Sequence, residues 1–512
     1  MSHDAVVIGA GSNGLTTAAL LAKRGRKVLL LERRDLVGGL AAAEEFHPGY
    51  RSPGLLHDTS GVRPWVIDAL GLERFGLRLR GRAPDLLSLA EDGSGLVLHG
   101  DPARAAEAIG ERSSRDAERY AAYRGFIDGI RGVLSGFLDR PPLDLLEPES
   151  IGILELARRL FPLRRLGRKR MMELLRLPPM CVGDWLAEWF ETGPLQAALA
   201  YPALAGGFAG PRSPGTNLNL LLREAAAGAG VEGGGPALVG ALERAARDLG
   251  VELRTDAGVE RILIDSGAAC GVRLEHGEEL RAPVVAASCD PKRALLGLLP
   301  AGALSRRVEQ RMRQYRTRGT TAQMLLALDR PLELRGAAGG PVELALTAGS
   351  LLRLERAFDA VKYRRLPEEP ILEIHAPTDP AGELAPAGHR VVSILAHFVP
   401  YDLEPGWDDE QRRRLGERIT SQLERHAPGL SSSVVASELI SPADLETRYG
   451  LTGGQIHHGE QALDQLLIRP TPDCAGYRTP VEGLFLCGGG SHPGGGLSCA
   501  PGALAAAAID SA

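Results

Sequence analysis

The sequence predicts an α/β fold with more than one domain. Three observations predict it: a glycine-rich strand–turn–helix at the start, a run of short strands in the middle, and a second glycine-rich strand–turn–helix at the end. A chain of 512 residues is too long for one ordinary core, so at least two domains are expected. Apolar residues make up 44% of the chain, which is enough for a large buried core.

The first elements are a strand, a helix and a second strand. Ala5–Ile8 is an apolar run typical of a buried strand, and a helix is expected from Ser12 to Arg24. Gly25 is placed to end this helix, and Lys27–Leu31 forms the next strand. This order of elements is typical of the start of a Rossmann-like sheet.

The turn after the first strand carries the pattern Gly9-x-Gly11-x-x-Gly14. Gly9 permits a tight turn, Gly11 lets the backbone approach a pyrophosphate, and Gly14 lets the helix pack closely. The helix N-terminus supplies free N–H groups to phosphates. Glu32, at the end of the second strand, is placed to accept hydrogen bonds from a ribose. The sequence therefore predicts a dinucleotide site; the alternative is a glycine-rich turn that serves packing alone.

The residues after Glu32 favour FAD over NAD. They read RRDLVGG, and a Gly38–Gly39 pair shortly after the acid is the extended signature of FAD-containing oxidoreductases, which NAD dehydrogenases usually lack. The glycines at 336–340 have no strand–helix context and are interpreted as a loop. The sequence predicts one FAD and no separate NAD domain.

The middle and the end of the chain add two further elements of the fold. Gly234–Pro236 opens a helix that continues through Ala237 to Leu249, and five strand-like runs follow between 251 and 289. Near the end, the strand Gly483–Cys487 leads into a segment in which six of the ten residues 488–497 are glycine. Because glycine costs folding entropy, this bare backbone is expected to approach a ligand closely; the alternative is a flexible tail. Pro501 suits the first turn of a small-residue helix over 503–508.

Taken together, these stretches resemble the phytoene desaturase-like branch of the FAD-dependent amine oxidase superfamily. The resemblance covers nearly the whole chain, and one departure is Leu40, where carotenoid desaturases commonly carry arginine. It implies a two-dinucleotide-binding-fold FAD domain with an interleaved α+β substrate domain. The stretches that carry it are ERRDLVGG, EEFHPGYRSP, GDWLAEWFETGPLQAALA, GFAGPRSPGT, GGQIHHGEQALDQLLIRP and LCGGGSHPGGGLSCAPG.

The resemblance also implies domain segments and cofactor contacts. The FAD domain would take 1–75, 228–298 and 455–512, and the substrate domain 76–227 and 299–454. Val259 would contact adenine through its backbone, and the final helix would point its N-terminus at the flavin. The predicted cofactor contacts are Gly9, Gly11, Ser12, Asn13, Gly14, Glu32, Arg33, Gly38, Gly39, Leu40, Val259, Gly488, Gly489, Pro493, Gly494, Gly495, Gly496 and Leu497.

The implied reaction removes a hydride from a substrate C–H bond and leaves a double bond, so a second proton must also leave. His492, His57 and His397 are the candidate acceptors, because histidine titrates in a useful range. Each has a structural alternative: His492 shapes its loop, His57 caps a turn, and His397 is a core histidine. The expected substrate is small and hydrophobic, of carotenoid or isoprenoid type. Flavin amine oxidase and an FAD-containing scaffold with little turnover are the alternatives.

The segment 157–180, inside a helical part expected near 150–190, has eight basic residues against one glutamate, interleaved with leucine, methionine and phenylalanine. Such a segment can lie on an anionic bilayer surface, which predicts peripheral membrane contact; the alternative is a solvated basic face. Pro162 and Gly167 predict a broken helix.

Composition narrows the classes of function that remain. A net charge of −5 argues against a nucleic-acid partner. The six scattered cysteines lack a C-x-x-C pair, which favours reduced thiols, no metal site and no redox-active dithiol. No signal segment precedes the first strand, so a cytoplasmic location is expected. The oligomeric state is left open.

Overall fold

The computed structural model describes residues 3–142, 158, 161, 163–337, 342–379, 382–466 and 468–511. Its strands are β1 Ala5–Ile8, β2 Val28–Leu31, β3 Glu45–His47, β4 Tyr50–Arg51, β5 Leu86–Leu89, β6 Gly95–Leu98, β7 Glu252–Arg254, β8 Val259–Asp265, β9 Ala268–Leu274, β10 Glu279–Arg281, β11 Val284–Ala287, β12 Thr321–Leu328, β13 Leu344–Leu346, β14 Ile371–His375, β15 Arg390–His397, β16 Val434–Ile440 and β17 Leu484–Leu486.

The α-helices lie between these strands, and α3 to α9 follow one another between β6 and β7. In chain order they are α1 Ser12–Lys23, α2 Pro64–Leu70, α3 Pro102–Gly110, α4 Ser114–Leu138, α5 Gly167–Arg176, α6 Val182–Trp189, α7 Gly193–Ala200, α8 Thr216–Ala226, α9 Gly234–Asp248, α10 Arg306–Gln314, α11 Leu351–Lys362, α12 Asp409–His426, α13 Pro442–Tyr449, α14 Leu463–Leu466 and α15 Ala500–Asp510. The predicted helices near 12–24, 234–249 and 503–508 therefore form, and the last one starts earlier than expected.

A five-stranded parallel sheet joins distant parts of the chain in the order β17-β11-β1-β2-β7. Ala5 of β1 is paired with Val28 of β2 on one side and with Val284 of β11 on the other. Strand β17, close to the carboxyl end, pairs in parallel with β11. Both ends of the chain are therefore built into one sheet.

Side chains of this sheet alternate between two buried faces, as the period of a strand requires. Val7 and Leu30 pack on one face against α1, α9 and α15. Val6 and Leu29 pack on the other face against a three-stranded antiparallel sheet, β10-β9-β8. The predicted α/β, Rossmann-like fold is thereby confirmed. The five strands expected between residues 251 and 289 do not form one sheet, however. Strands β7 and β11 belong to the parallel sheet, and β8, β9 and β10 form the separate antiparallel sheet.

A second sheet has seven strands in the order β16-β12-β15-β14-β13-β5-β6. One face is apolar and packs against α12 through Leu415, Ile419 and Leu423. The opposite face carries polar side chains from neighbouring strands. Residues that pair across two strands lie on the same face of a sheet, and so do residues two apart in one strand. The pairs Glu373–Leu395 and Ile371–His397 of β14 and β15 therefore place Glu373 and His397 on one face. Since polar groups are rarely buried without a reason, this face marks a candidate site.

Candidate functional site

A cleft lies at the carboxyl edge of the parallel sheet, where ligands bind in open α/β folds. Its walls come from the first 56 residues, from residues 257–298 and from residues 449–497. The predicted cofactor contacts that line it are Gly9, Gly11, Ser12, Asn13, Glu32, Arg33, Gly38, Gly39, Leu40, Val259, Gly489, Gly495, Gly496 and Leu497. The structure therefore brings residues from both ends of the chain to one cleft.

The amino-terminal glycines are required by close backbone contacts. A Cβ on Gly14 would lie 1.9 Å from the carbonyl oxygen of Gly9, which itself has φ +93°. A Cβ on Gly39 would lie 3.2 Å from the Cα of Gly11. The amide of Gly38 donates to the carbonyl of Ala10 at 2.9 Å. These contacts hold the first turn and the Gly38–Gly39 pair together.

Gly11 differs, because a Cβ placed on it would meet no protein atom within 4 Å. Its backbone has φ −72°, which any residue can adopt, so protein packing does not require a glycine there. Gly11 lines the cleft, and the first-turn amides of α1 next to it lack intrahelical acceptors. A backbone without a side chain, next to amides that lack acceptors, can bind a phosphate group. Gly11 and the first turn of α1 therefore fit the pyrophosphate of the predicted dinucleotide.

Glu32 is buried and lies on the wall of the cleft. Its Oε2 accepts a hydrogen bond from the amide of Ala10 at 2.8 Å, and its Oε1 accepts one from the amide of Arg34 at 3.1 Å. Arg33 donates to the carbonyl of Arg448 at 2.9 Å. The carboxylate is thus held in place by backbone amides, with lone pairs left for a ribose.

The carboxyl-terminal glycines are also set by close contacts. A Cβ on Gly488 would lie 2.3 Å from the carbonyl oxygen of Ser288, and one on Gly495 would lie 2.5 Å from the Cβ of His457. The amide of Gly502 donates to Oδ1 of Asn13 at 3.3 Å, so the first turns of α1 and α15 are in direct contact.

Four predicted contacts lie outside this cleft. Gly14 and Gly488 are packing glycines, as their contacts show. Pro493 and Gly494 line a separate cavity of about 230 Å³, which shares the wall Gly495–Leu497 with the cleft. These positions stay predictions as cofactor contacts.

Sequence reasoning missed two segments of the cleft. Ser288, Cys289 and Asp290 directly follow β11, and the carboxyl-edge rule could have found them. Tyr449–Leu451 also lines the cleft, although it lies before the predicted third FAD segment, 455–512. Asp290 connects the two segments, because it accepts hydrogen bonds from the hydroxyl of Thr452 at 2.9 and 3.0 Å.

Arg469 was also missed, and it organises the glycine segment. The residue is fully buried, and its guanidinium donates to the backbone carbonyls of His457, Gly459, Glu460 and Gly490 at 3.2–3.5 Å. Its charge therefore satisfies several buried carbonyls from two loops at once, which fixes the loops relative to each other.

A cavity of about 1570 Å³ lies above the polar face of the seven-stranded sheet and shares Leu56 and Ile456 with the cleft. Apolar side chains such as Leu86, Leu344 and Leu395 form part of its wall, while the sheet contributes charged and imidazole groups. The predicted histidines His57 and His397 both line it. A substrate in this cavity would lie beside the cleft.

His57 and His397 approach the same carboxylate, Glu373, which sequence reasoning missed. Nδ1 of His57 lies 3.3 Å from Oε1 of Glu373, and the hydroxyl of Tyr201 donates to Oε2. Nε2 of His397 lies 2.5 Å from the Tyr201 oxygen. The alternation of polar and apolar residues in Ile371–His375 was the signal that could have found Glu373.

Two pKa shifts assign charges in this cluster. Burial raises the pKa of Glu373, but the hydrogen bond and charge of His57, with the further donor Tyr201, outweigh burial and lower the pKa to about 2. Burial lowers the pKa of His397 to about 4. At neutral pH Glu373 is therefore ionised and His397 is neutral.

His492 lies elsewhere. Its Nε2 donates to the carbonyl of Phe137 at 3.0 Å, and its ring packs edge-on against the Phe137 ring. It lines neither the cleft nor the two cavities described above. This geometry favours the alternative in which His492 shapes its loop.

The basic segment is described from Leu163 onward, together with positions 158 and 161; the rest of 143–162 lies outside the described residues. Helix α5 begins at Gly167, which has φ +74°, so the predicted break is present. Phe161, Met172 and Leu175 are 55%, 57% and 69% exposed. Among the helices of the described part of the chain, none has both the length and the apolarity that a membrane span requires.

Comparison with known proteins places this geometry in a family. Residues 7–63 match the model of the NAD(P)-binding Rossmann-like domain. The chain is 33% identical to pyridine nucleotide-disulfide oxidoreductase domain-containing protein 2 of Rattus norvegicus, covering 98% of this chain and 92% of that protein. It is 30% identical to hydroxyneurosporene desaturase of Cereibacter sphaeroides, covering 97% and 94% of the two chains.

Among solved structures, cyclohexylamine oxidase from Brevibacterium oxydans has the same fold, with a TM-score of 0.57, 16% identity, and coverage of 100% of this chain and 99% of that one. The resemblance in sequence extends along the whole chain, and the fold agrees with it. The chain therefore belongs to the family of FAD-type oxidoreductases that includes pyridine nucleotide-disulfide oxidoreductase domain-containing protein 2 and the carotenoid desaturases.

Proposed function

We propose that this chain is an FAD-dependent dehydrogenase that forms a double bond in a substrate with a large hydrophobic part. The observation that supports it most is the cleft of bare glycine backbone, built by both ends of the chain and joined to a large cavity through Leu56 and Ile456. The names of the desaturase relatives suggest a carotenoid-like or isoprenoid-like substrate.

The cofactor would be held mainly by backbone. The first-turn amides of α1 at Ser12 and Asn13 would hold the pyrophosphate, Glu32 the ribose, and Val259 the adenine. When bound, FAD would supply the hydride acceptor for the substrate C–H bond.

The chain's own groups would orient the substrate and manage charge. Helix α15 has 11 residues, and its N-terminus favours negative charge nearby by roughly 1–2 kcal/mol in a partly buried site. Leu56 and Ile456, shared by the cleft and the cavity, would exclude water between them. Of the three predicted histidines, His57 and His397 line the cavity and are the proposed proton acceptors.

Anaerobic reduction tests the proposal. FAD-loaded protein is mixed under anaerobic conditions with a polyene, an isoprenoid hydrocarbon or a long-chain alkylamine. The flavin absorbance is followed, and the masses of the products are measured by mass spectrometry. We expect the flavin to bleach with the polyene or the isoprenoid and the product to lack two hydrogens. Bleaching with the alkylamine alone, with an aldehyde formed by hydrolysis of the imine, would favour the amine oxidase alternative. A flavin that stays oxidised with every class would contradict the proposal and favour a scaffold role.

Flavin amine oxidase is the second candidate. The sequence argues against it because aromatic residues are only 4% of the chain, so an aromatic amine clamp is not expected. The ionised Glu373 in the cavity favours it, since a carboxylate attracts an ammonium group.

A further inference from the structure

Three arginines line the cleft, and protein groups already engage two of them. Arg33 donates to the carbonyl of Arg448 at 2.9 Å, and Arg34 forms an ion pair with Glu44. The third is Arg293, which is half-buried. Its guanidinium makes no hydrogen bond or ion pair with any residue that the structure describes. The cleft therefore contains one cation that the described protein leaves available to a ligand.

The backbone at Arg293 is fixed at the carboxyl edge of the parallel sheet. Asp290 caps the turn that follows β11, because its Oδ1 accepts from the amide of Arg293 at 3.0 Å and its carbonyl accepts from the amide of Ala294 at 2.9 Å. Nη1 of Arg293 lies 3.5 Å from the position that a Cβ on Gly450 would take, so the guanidinium packs against the segment 449–451 on the cleft wall. Arg293 thus joins two walls of the cleft and places its charged end there.

The charges of the cleft make such a cation useful to a dinucleotide. Glu32 and Asp290 are buried carboxylates on the cleft wall, and a pyrophosphate adds further negative charge. The N-terminus of α1 offers only a partial positive charge, and Leu40, which also lines the cleft, offers none. A guanidinium carries a full charge and paired N–H donors that match the oxygens of a phosphate.

We propose that the guanidinium of Arg293 binds a phosphate of the dinucleotide. This inference rests on the proposed function, because it adds a residue to the cofactor site on which that function depends. The contacts predicted from the sequence hold the phosphates through backbone amides, whereas Arg293 supplies a charge. Arg293 also belongs to the middle of the chain, so a phosphate held by both Arg293 and α1 would link this part of the chain to the amino-terminal turn.

Titration of the full chain, freed of FAD, with FAD, ADP and adenosine tests this inference, because adenosine carries no phosphate. We expect Arg293→Met to weaken the binding of FAD and ADP by roughly 10–100-fold, the range of a hydrogen bond to a charged group. The affinity for adenosine should not change. Arg293→Gln removes the charge but keeps a polar side chain, so it gives a second reading if the methionine variant does not fold. Arg261→Met is the matched control, because Arg261 is exposed on β8 and does not line the cleft.

The ratio of the ADP and adenosine affinities decides the result. A ratio that is the same in the wild-type protein and in the variants overturns the inference, and so does an equal loss for both ligands, which a purely structural role would produce. A wild-type affinity for adenosine also shows that a variant is folded. Wild-type protein that binds no FAD contradicts the proposed function, whereas variants that bind FAD as tightly as the wild-type protein contradict only the role of Arg293.

Discussion

The cleft and the cavity are built by different means, although they share a wall. The cleft is made mainly of backbone: glycines and helix amides in fixed turns, with Glu32 and Asp290 as buried carboxylates. The cavity is made of side chains from separate strands, which meet only after the seven-stranded sheet has formed. Backbone sites leave a local pattern in the sequence, and side-chain sites of this kind do not.

The largest effect is expected for Gly14→Ala in the cleft. Its Cβ would lie 1.9 Å from the carbonyl oxygen of Gly9, so the turn must move, at a cost of about 3 kcal/mol or more. We expect the variant to lose both stability and FAD binding in urea unfolding and cofactor titration. Gly125→Ala is the control, because Gly125 is an exposed helical glycine whose Cβ meets nothing within 4 Å. That substitution should be neutral or stabilise by up to about 1 kcal/mol.

Arg469→Met tests whether the Arg469 side chain fixes the loops that line the cleft. The change leaves several buried carbonyls without a donor, and we expect a loss of about 3 kcal/mol or more in unfolding free energy, with weaker FAD binding. The control is Arg313→Met, since Arg313 is exposed and pairs with Glu309 on the same helix. Equal stability of the two variants would show that Arg469 does not organise the cleft.

The cavity has its own signature in the dependence of stability on pH. Three histidines on its walls have lowered pKa values, and burial is the largest cause in each case. The pKa is about 4 for His375 and His397 and about 3 for His457. Below pH about 6.5 the unfolded chain binds protons that the folded chain does not, so stability falls as pH falls. The expected slope is about 1.4 kcal/mol per pH unit for each histidine between pH about 6.5 and 4. Urea midpoints that are flat from pH about 6.5 to 5 would contradict this.

Tyr201→Phe should have a smaller effect that is confined to the cavity. It removes one donor from Glu373, so the pKa of that carboxyl rises and the unfolding free energy measured in urea falls by about 1 kcal/mol. FAD binding in the cleft should not change. Tyr123→Phe is the matched control, because the Tyr123 hydroxyl is buried without a hydrogen-bond partner among the described residues. A loss of FAD from Tyr201→Phe would show that the two regions are not independent.

The smallest effect is expected at the surface. We propose that the basic segment 163–176 contacts anionic lipid, supported by the exposed Met172 and Leu175 next to Arg168 and Lys169. Neutralising Arg164, Arg165 and Arg168 together should reduce flotation with anionic liposomes and leave stability unchanged. Equal flotation of this variant and the wild-type protein would contradict the proposal.

The sequence predicted the parts that short-range pattern determines. The strand–turn–helix at 5–31, the helix at 234–249 and the glycine segment before α15 all occur where expected. Glu373 could not be placed in the same way, because its partner Tyr201 lies 172 residues away along the chain. Arg469 was missed although most of its partners are nearer, 9 to 21 residues away, because they are backbone carbonyls, which leave no residue pattern in the sequence. The ring of His492 contacts Phe137 and does not line the cleft, although His492 is close in sequence to the glycines that do.

The most direct test of the central claim is FAD titration of the wild-type protein against Gly11→Leu. No protein atom lies within 4 Å of a Cβ at Gly11, and its φ of −72° suits any residue, so the variant should unfold at the same urea concentration. Its side chain would occupy the cleft, so we predict that the wild-type protein binds one FAD per chain and that the variant binds none. A wild-type protein that remains colourless with added FAD, or a folded variant that binds FAD equally well, would contradict the account.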